Sequence, residues 1–337
     1  MIEVRNLVKD YFGNVAVDDL SFTVEAGEIV GFLGPNGAGK STTMNIITGY
    51  ISSTSGKAIV NGYDVFEEPE KAKKCIGYLP EQPPIYPDMK VREYLMFVAD
   101  LKKVPKKERA QMIGDIMDLT KISDVSEKLI KHLSKGYKQR VGLSAAIVGY
   151  PEILILDEPT VGLDPNQIIE IRELIKSLSK KHTILLSSHI MQEVSAVCDK
   201  IIIINEGHLI AYDTPANIAR MIDESKELIV TVKGDKSRIK SVVAQINGIR
   251  SVKYRDRIDD GELGMTIKME EDADIREDLF NAMSDAGCPI LEMRLHTLTL
   301  EEIFLILTHD KNRIKEYTDK VSEEKAAVND INEEVGE

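Results

Sequence analysis

The sequence predicts an α/β protein with a mostly parallel sheet, followed by a smaller α+β domain. Two observations support this prediction. Over about the first 220 residues, short apolar runs such as EIVGFL, PEILILD and KIIIIN alternate with helical patterns, as buried parallel strands do. Beyond residue 223 the patterns follow the order β-α-β-β-α-β, which is ferredoxin-like. Ligands of a parallel sheet are expected at the carboxyl ends of its strands.

The expected elements begin with strands at IEVRNL, AVDDLSFTV and EIVGFL. A glycine-rich loop and a helix from Lys40 to about Thr48 follow, and GKAIVNG and CIGYLPEQ supply two more strands. Four prolines between residues 80 and 87 mark a loop. Helical patterns over about residues 87–147 indicate an inserted helical subdomain. The strands PEILILD, HTILLSSH and KIIIIN and the helix NQIIEIRELIKSLSKK then complete the core.

These patterns predict three parts of the chain. Residues 1–222 form the first domain, and residues 223–310 form the ferredoxin-like accessory domain. Residues 311–337 form a charged tail that is either helical or disordered, because the tail is poor in aromatic residues.

Composition restricts the classes of function. A net charge of −13 argues against a general nucleic-acid binder, which relies on excess Lys and Arg. Three scattered cysteines indicate neither a disulfide framework nor a zinc site. No apolar run approaches the ~18 residues of a membrane-spanning helix, and the N-terminus lacks the layout of a signal peptide. We therefore expect a cytoplasmic protein without a nucleic-acid partner.

The stretch GPNGAGKST after EIVGFL fits the phosphate-loop pattern G-x-x-x-x-G-K-[ST]. Glycines allow consecutive backbone N–H groups to converge on an anion. Lys40 is expected to reach the β- and γ-phosphates of a nucleotide, and Ser41 to bind Mg²⁺. The alternative is an ordinary glycine-rich turn between a strand and a helix. The predicted phosphate-binding residues are Gly34, Pro35, Asn36, Gly37, Ala38, Gly39, Lys40, Ser41 and Thr42.

Two adjacent carboxylates end the strand in EILILDEPT. Asp157 is the candidate for the metal side, because a carboxylate at that strand end can meet Mg²⁺ held by Ser41. Glu158 is the candidate for the base that polarises the attacking water. The alternative is that both acids only cap a turn before Pro159. A phosphate loop followed by this pair predicts a nucleotide-hydrolysing enzyme.

A third motif, LSKGYKQR, lies between these two. Ser134 and Gly136 precede a helix, where a hydroxyl, backbone N–H groups and the helix dipole all favour an anion. Taken alone, this segment fits an ordinary helix cap better than an anion site. In the order GPNGAGKST, the Gln82 loop, LSKGYKQR, ILILDEP, GLDP and His189, the sequence resembles an ATP-binding-cassette (ABC) nucleotide-binding domain over residues 1 to about 220.

The resemblance implies further roles. Tyr11 matches the aromatic that stacks on adenine, although a packing tyrosine in a strand is the alternative. Gln82 matches the glutamine that senses the γ-phosphate and Mg²⁺, and His189 matches the switch histidine at the γ-phosphate. Asp164 matches the acid that crosses the dimer interface. The implied assembly is a head-to-tail homodimer, in which Ser134 and Gly136 of one copy cover the ATP of the other.

The sequence also resembles a subfamily. TLTLEEIFLILT, residues 297–308, is similar to the terminal S-L-E-E-x-F-x-x-L-T pattern of cassettes that serve ABC-2-type exporters; an amphipathic docking helix is the alternative. The resemblance implies an ATP-hydrolysing subunit at the inner face of the cell membrane, which powers a separate integral-membrane permease. A soluble regulatory ABC ATPase that acts on a protein or nucleoprotein partner is the alternative function.

One departure from the family pattern is expected to matter. Lys135 and Tyr137 replace the commoner Gly and Gln of LSGGQQR, whereas Ser134 and Gly136 are retained. The replacements put the rate of turnover in question more than the geometry.

Overall fold

The computed structural model describes residues 1–222, 227–256, 261–270 and 273–296, and Glu302, Phe304, Leu305 and Thr308. The described residues belong to two compact units. The first contains residues 1–215 with Phe304, Leu305 and Thr308, and the second lies within residues 216–303. The predicted tail, residues 311–337, and most of the segment 297–308 lie outside the described residues.

The elements of the chain up to residue 222 follow the predicted order. They are β1 (Ile2–Tyr11), β2 (Asn14–Val24), β3 (Ile29–Leu33), α1 (Lys40–Ile47), β4 (Ser55–Val60), β5 (Tyr63–Asp64), α2 (Pro69–Cys75), β6 (Ile76–Leu79), α3 (Val91–Leu101), α4 (Lys106–Leu119), α5 (Lys135–Ile147), β7 (Ile153–Leu156), α6 (Pro165–Leu178), β8 (Thr183–Ser188), α7 (Met191–Ser195), β9 (Lys200–Asn205), β10 (His208–Asp213) and α8 (Pro215–Ile222). Sequence patterns did not predict β5, β10, α2 or α8, which are short or only partly apolar.

The first unit contains two sheets. The larger one has the strand order β10-β9-β3-β8-β7-β6, and its pairs are parallel except for the antiparallel pair β10–β9. Every residue of β3, β7 and β8 is buried, which explains their continuous apolar runs. An antiparallel sheet, β2-β1-β4-β5, packs into the same hydrophobic core. The predicted mostly parallel α/β core is confirmed.

The second unit confirms the ferredoxin-like prediction. Its elements are β11 (Glu227–Lys233), α9 (Lys236–Val243), β12 (Ile249–Asp256), β13 (Glu262–Met269), α10 (Arg276–Asp285) and β14 (Ile290–His296). The four strands form an antiparallel sheet in the order β12-β13-β11-β14. Apolar residues of α9 and α10, including Ile239 and Leu279, form one buried cluster with the strands.

The segment after the second unit returns to the first. The side-chain amide of Asn205, at the end of β9, donates to the carbonyl of Thr308 at 3.0 Å, and Thr308 is buried. Thr308 Oγ1 in turn donates to the carbonyl of Phe304 at 2.8 Å, the i to i−4 spacing of a helix. These residues therefore belong with the first unit, whereas the sequence prediction placed them in the accessory domain.

Among the described residues, no helix has both the length and the apolar character that crossing a membrane requires.

Candidate nucleotide-binding site

The phosphate loop connects the carboxyl end of β3 to α1. Gly39 precedes the helix with φ 102°, a conformation that favours glycine, and a Cβ there would lie 2.5 Å from the carbonyl oxygen of Ala16. A Cβ on Gly34 would lie 2.6 Å from the carbonyl oxygen of Ile204. Both glycines are therefore required by close backbone packing as well as by the need to expose N–H groups. The loop is held between β2 and β9.

Lys40, the first residue of α1, is buried at the base of this loop. Its ammonium donates to the carbonyls of Gly34 and Pro35 at 2.7 and 3.2 Å. Burial lowers the pKa of Lys40, and the nearby charges of Glu158, Asp157 and Glu81 oppose that shift. A cation is thus held between the loop and a group of carboxylates.

The opposite wall follows β7. Glu158 has φ 48°, an uncommon conformation for a residue with a side chain, and its backbone N–H donates to Ser187 Oγ at 2.8 Å. The Ser187 hydroxyl donates to Asp157 Oδ1 at 2.5 Å, so one hydroxyl of β8 links both acids. Nδ1 of His189 lies 3.0 Å from each carboxylate oxygen of Glu158. Glu158 is buried and its orientation is set by two neighbouring strands.

These elements enclose a pocket of about 500 Å³. Nine predicted residues line it, namely Tyr11, Asn36, Gly37, Gly39, Lys40, Ser41, Thr42, Glu158 and His189. Four lining residues were not predicted, namely Asn14, Ala16, Glu81 and Val161. Tyr11 ends β1 at the rim, where its ring is partly exposed and within 5.0 Å of Lys9 Nζ. An aromatic ring at one end and a cation with N–H groups at the other suit a nucleotide.

Gln82 does not line the pocket, although the sequence pointed to it as a metal and γ-phosphate residue. Its neighbour Glu81 does, and the charge of Glu81 acts on Lys40. The family motif carries a glutamine, and Gln82 is the glutamine of this loop. The two positions differ by a single residue, and only the path of the backbone after β6 shows which side chain reaches the pocket.

Ser134, Gly136 and Asp164 also lie outside the pocket lining. Ser134 caps α5, accepting from the backbone N–H of Tyr137 at 3.4 Å. Asp164 caps α6, accepting from the backbone N–H of Gln167 at 3.0 Å. Within one chain Ser134 and Asp164 therefore act as helix caps, and Gly136 lies in the first turn of α5.

Comparison with known proteins agrees with this geometry. The family model described as "ABC transporter" matches residues 17–161. The linearmycin resistance ATP-binding protein LnrL of Bacillus subtilis (strain 168) is 31% identical over 309 residues, which cover 91% of this chain and 98% of that protein. The bacitracin transport ATP-binding protein BcrA of Bacillus licheniformis is 40% identical over 212 residues, covering 62% of this chain and 68% of that protein.

Solved structures give the same result. An ATP-binding subunit of an ABC transporter is 32% identical, with a TM-score of 0.60, and the match covers 65% of this chain and 92% of that one. The cbiO1 protein from Clostridium perfringens, part of the ABC transporter complex cbiONQ, is 26% identical with a TM-score of 0.61, covering 73% and 95%. The chain therefore belongs to the ATP-binding proteins of ABC transporters, and it is an ABC ATPase.

Proposed function

We propose that this chain hydrolyses MgATP in the pocket described above and thereby drives a separate membrane permease of the ABC-2 exporter type. The observation that carries the proposal is the contact between Glu158 and His189, on the wall opposite Lys40 and Ser41. A carboxylate held by an imidazole and facing a phosphate loop is the arrangement that activates water for attack on a γ-phosphate.

Each residue of the site has a proposed role in hydrolysis. Tyr11 stacks on the adenine, while Lys40 and the N–H groups of the loop bind the phosphates. Glu158 accepts the proton of the water that attacks the γ-phosphorus, giving ADP and inorganic phosphate. His189 orients Glu158 through Nδ1, and its partly exposed ring is available to contact the γ-phosphate.

The residues present fit a magnesium ion. Hydroxyl and carboxylate oxygens are its preferred ligands, and Ser41, Asp157 and Glu81 offer them around Lys40. Across the described part of the chain, no three His, Cys, Asp or Glu side chains form a metal site by themselves. At nucleotide sites Mg²⁺ is usually bound through one or two carboxylates plus substrate phosphates. When bound, the ion neutralises charge on the phosphates.

Two substitutions test which residue serves the metal. Glu81→Gln should raise the Mg²⁺ concentration needed for half-maximal hydrolysis about tenfold, because a charged oxygen ligand is lost. Gln82→Ala is the matched control and should change that concentration less than twofold. If Gln82→Ala has the larger effect, the role implied by the family resemblance belongs to Gln82 after all.

We also propose that two copies pair head to tail. The support is that Ser134 and Gly136, at the start of α5, lie outside the pocket of their own chain although their N–H groups and dipole suit an anion. In a two-fold pair each α5 start covers the ATP of the other copy, and both sites are equivalent. Asp164 then lies at the interface.

A second, apolar groove supports contact with a permease. Tyr86, Phe97 and Leu101 are all exposed, and they line a cavity of about 390 Å³ between β6, α3 and α5. The Tyr86 and Phe97 rings meet edge to face at 5.6 Å. Exposed aromatic and aliphatic side chains that cluster in this way mark a protein-binding surface.

Cell fractionation tests this contact. In its own host the full chain should sediment with membranes, and Leu101→Asp should release most of it into the supernatant while ATP hydrolysis by the purified variant stays within twofold of the parent. Leu119→Asp, at an exposed leucine that ends α4 away from this groove, is the matched control. Equal membrane recovery of all three proteins would argue against a permease docked at this groove.

Relatives named for linearmycin resistance and bacitracin transport support export as the direction of transport. The proposed location is the cytoplasmic face of the cell membrane. A soluble regulatory ATPase without a permease is not favoured, because these relatives are named for resistance or transport.

A further inference from the structure

The signature segment, residues 134–140, lies against the loop that follows Glu158 in the same chain. The end of the Lys135 side chain lies beside Gly162, where an added Cβ would lie 1.9 Å from Lys135 Nζ, 2.8 Å from its Cε and 3.3 Å from its Cδ. Gly162 has φ 69°. This φ favours glycine, and the end of the exposed Lys135 side chain lies over the residue.

Two further contacts extend this surface along α5 and α6. A Cβ on Gly136 would lie 2.6 Å from Oε1 of Gln167, so the two helices touch directly there. One turn later, the Arg140 guanidinium forms an ion pair with Glu170. Lys135 is the member of this series nearest to the catalytic loop, and the other two contacts fix α5 beside it.

The loop under Lys135 is continuous with the catalytic wall. The backbone N–H of Val161 donates to the carbonyl of Glu158 at 3.2 Å, and that of Leu163 donates to the carbonyl of Thr160 at 3.2 Å. These two turns overlap, and Val161 lines the nucleotide pocket. A shift at Gly162 must therefore move Val161 or rotate the backbone of Glu158.

We propose that Lys135 is a positioning residue for ATP hydrolysis. The end of its side chain, from Cδ to Nζ, covers Gly162, holds the two turns in place and so keeps Glu158 against His189. Glycine, the commoner residue at this place in the signature, has no side chain to make that contact. The inference rests on the proposed role of Glu158 as the base. It assigns a function to a residue that otherwise only marks a departure from the family motif.

The test compares a fully shortened side chain with an uncharged one that is shorter than lysine by only the terminal nitrogen. Lys135→Ala should lower kcat about five- to tenfold and leave KM for ATP within twofold, since the phosphate loop is untouched. Lys135→Met, which keeps atoms at the positions of Cδ and Cε beside Gly162, should retain at least about half of the parent kcat. Lys131→Met, an exposed lysine paired with Asp88 outside the site, is the control and should match the parent.

A second measurement does not depend on turnover. Hydrogen exchange of the Val161 and Leu163 amides should be faster in Lys135→Ala than in the parent, and unchanged in Lys135→Met. The proposal is overturned if Lys135→Ala keeps its kcat within twofold, or if Lys135→Met loses as much as Lys135→Ala. Glu158→Gln separates the proposal for Lys135 from the proposal for Glu158. If Glu158→Gln hydrolyses ATP normally, Glu158 is not the base. If Glu158→Gln loses hydrolysis while Lys135→Ala is normal, only the role of Lys135 is rejected.

Discussion

Replacing Glu158 by glutamine tests its role as the base while leaving the surrounding contacts in place. Nδ1 of His189 lies 3.0 Å from both carboxylate oxygens, so the amide oxygen of glutamine can accept from the imidazole in the same position. The backbone N–H of residue 158 still donates to Ser187 Oγ. The change therefore removes the proton acceptor and little else.

The expected loss follows from that single change. General base catalysis contributes about 10²- to 10⁴-fold, so kcat should fall by at least about 10²-fold, or roughly 2.7 kcal/mol in the activation free energy. ATP affinity should stay within a few-fold, because Lys40 and the loop are unaltered. Single-turnover hydrolysis and equilibrium ATP binding are measured on the same preparation, with Glu127→Gln as an exposed control.

Hydrolysis by Glu158→Gln within about threefold of the parent would refute the reasoning, because no general base would then have been removed. Loss of both ATP binding and hydrolysis in Glu158→Gln would also contradict the role of Glu158 as a base. In that case the carboxylate would be holding the pocket together rather than accepting a proton.

Three other predictions follow from helix ends, glycines and a buried lysine. In the Glu158→Gln background with ATP, adding Ser134→Asp should abolish the dimers seen by light scattering, because aspartate still caps α5 but repels phosphate. The control Ser134→Asn should still dimerise, and dimers of the aspartate variant would contradict the head-to-tail pair. Gly39→Ala should lower the melting temperature more than Gly37→Ala, because a Cβ at Gly39 meets a backbone oxygen whereas a Cβ at Gly37 meets no atom within 4 Å. Equal decreases in melting temperature would contradict this. Burial lowers the pKa of Lys102 to about 8, so between pH 8 and 10 the unfolded chain binds more protons than the folded one. The unfolding free energy of the parent minus that of Lys102→Met, from urea titrations, should therefore rise with pH over that range, and a constant difference would contradict this.

The sequence predicted the parts of the site that repeat a fixed spacing. GPNGAGKST defines the loop and the start of α1, and the buried run before Asp157 places two acids at a strand end beside it. Both predictions depend only on local chemistry and on strands whose carboxyl ends share one edge of a sheet.

The remaining parts depend on contacts between distant segments. Glu81 reaches the pocket instead of Gln82 because of the backbone path after β6, and neither spacing nor residue type reveals that path. The packing of Lys135 on Gly162 joins two segments that lie far apart in the chain, and in the sequence it appears only as an unusual signature residue. Long-range packing of this kind leaves no periodic pattern in one chain.

The bond between Asn205 and Thr308 makes the first unit discontinuous along the chain. During synthesis, roughly ninety more residues must be added after residue 215 before Thr308 is made, which takes about 5 to 20 s at ordinary synthesis rates. During that time the surface beside β9 that Thr308 covers is exposed to solvent. Truncation of the chain before residue 304 makes this state permanent, so the accessory domain is better removed by an internal deletion that keeps the last segment.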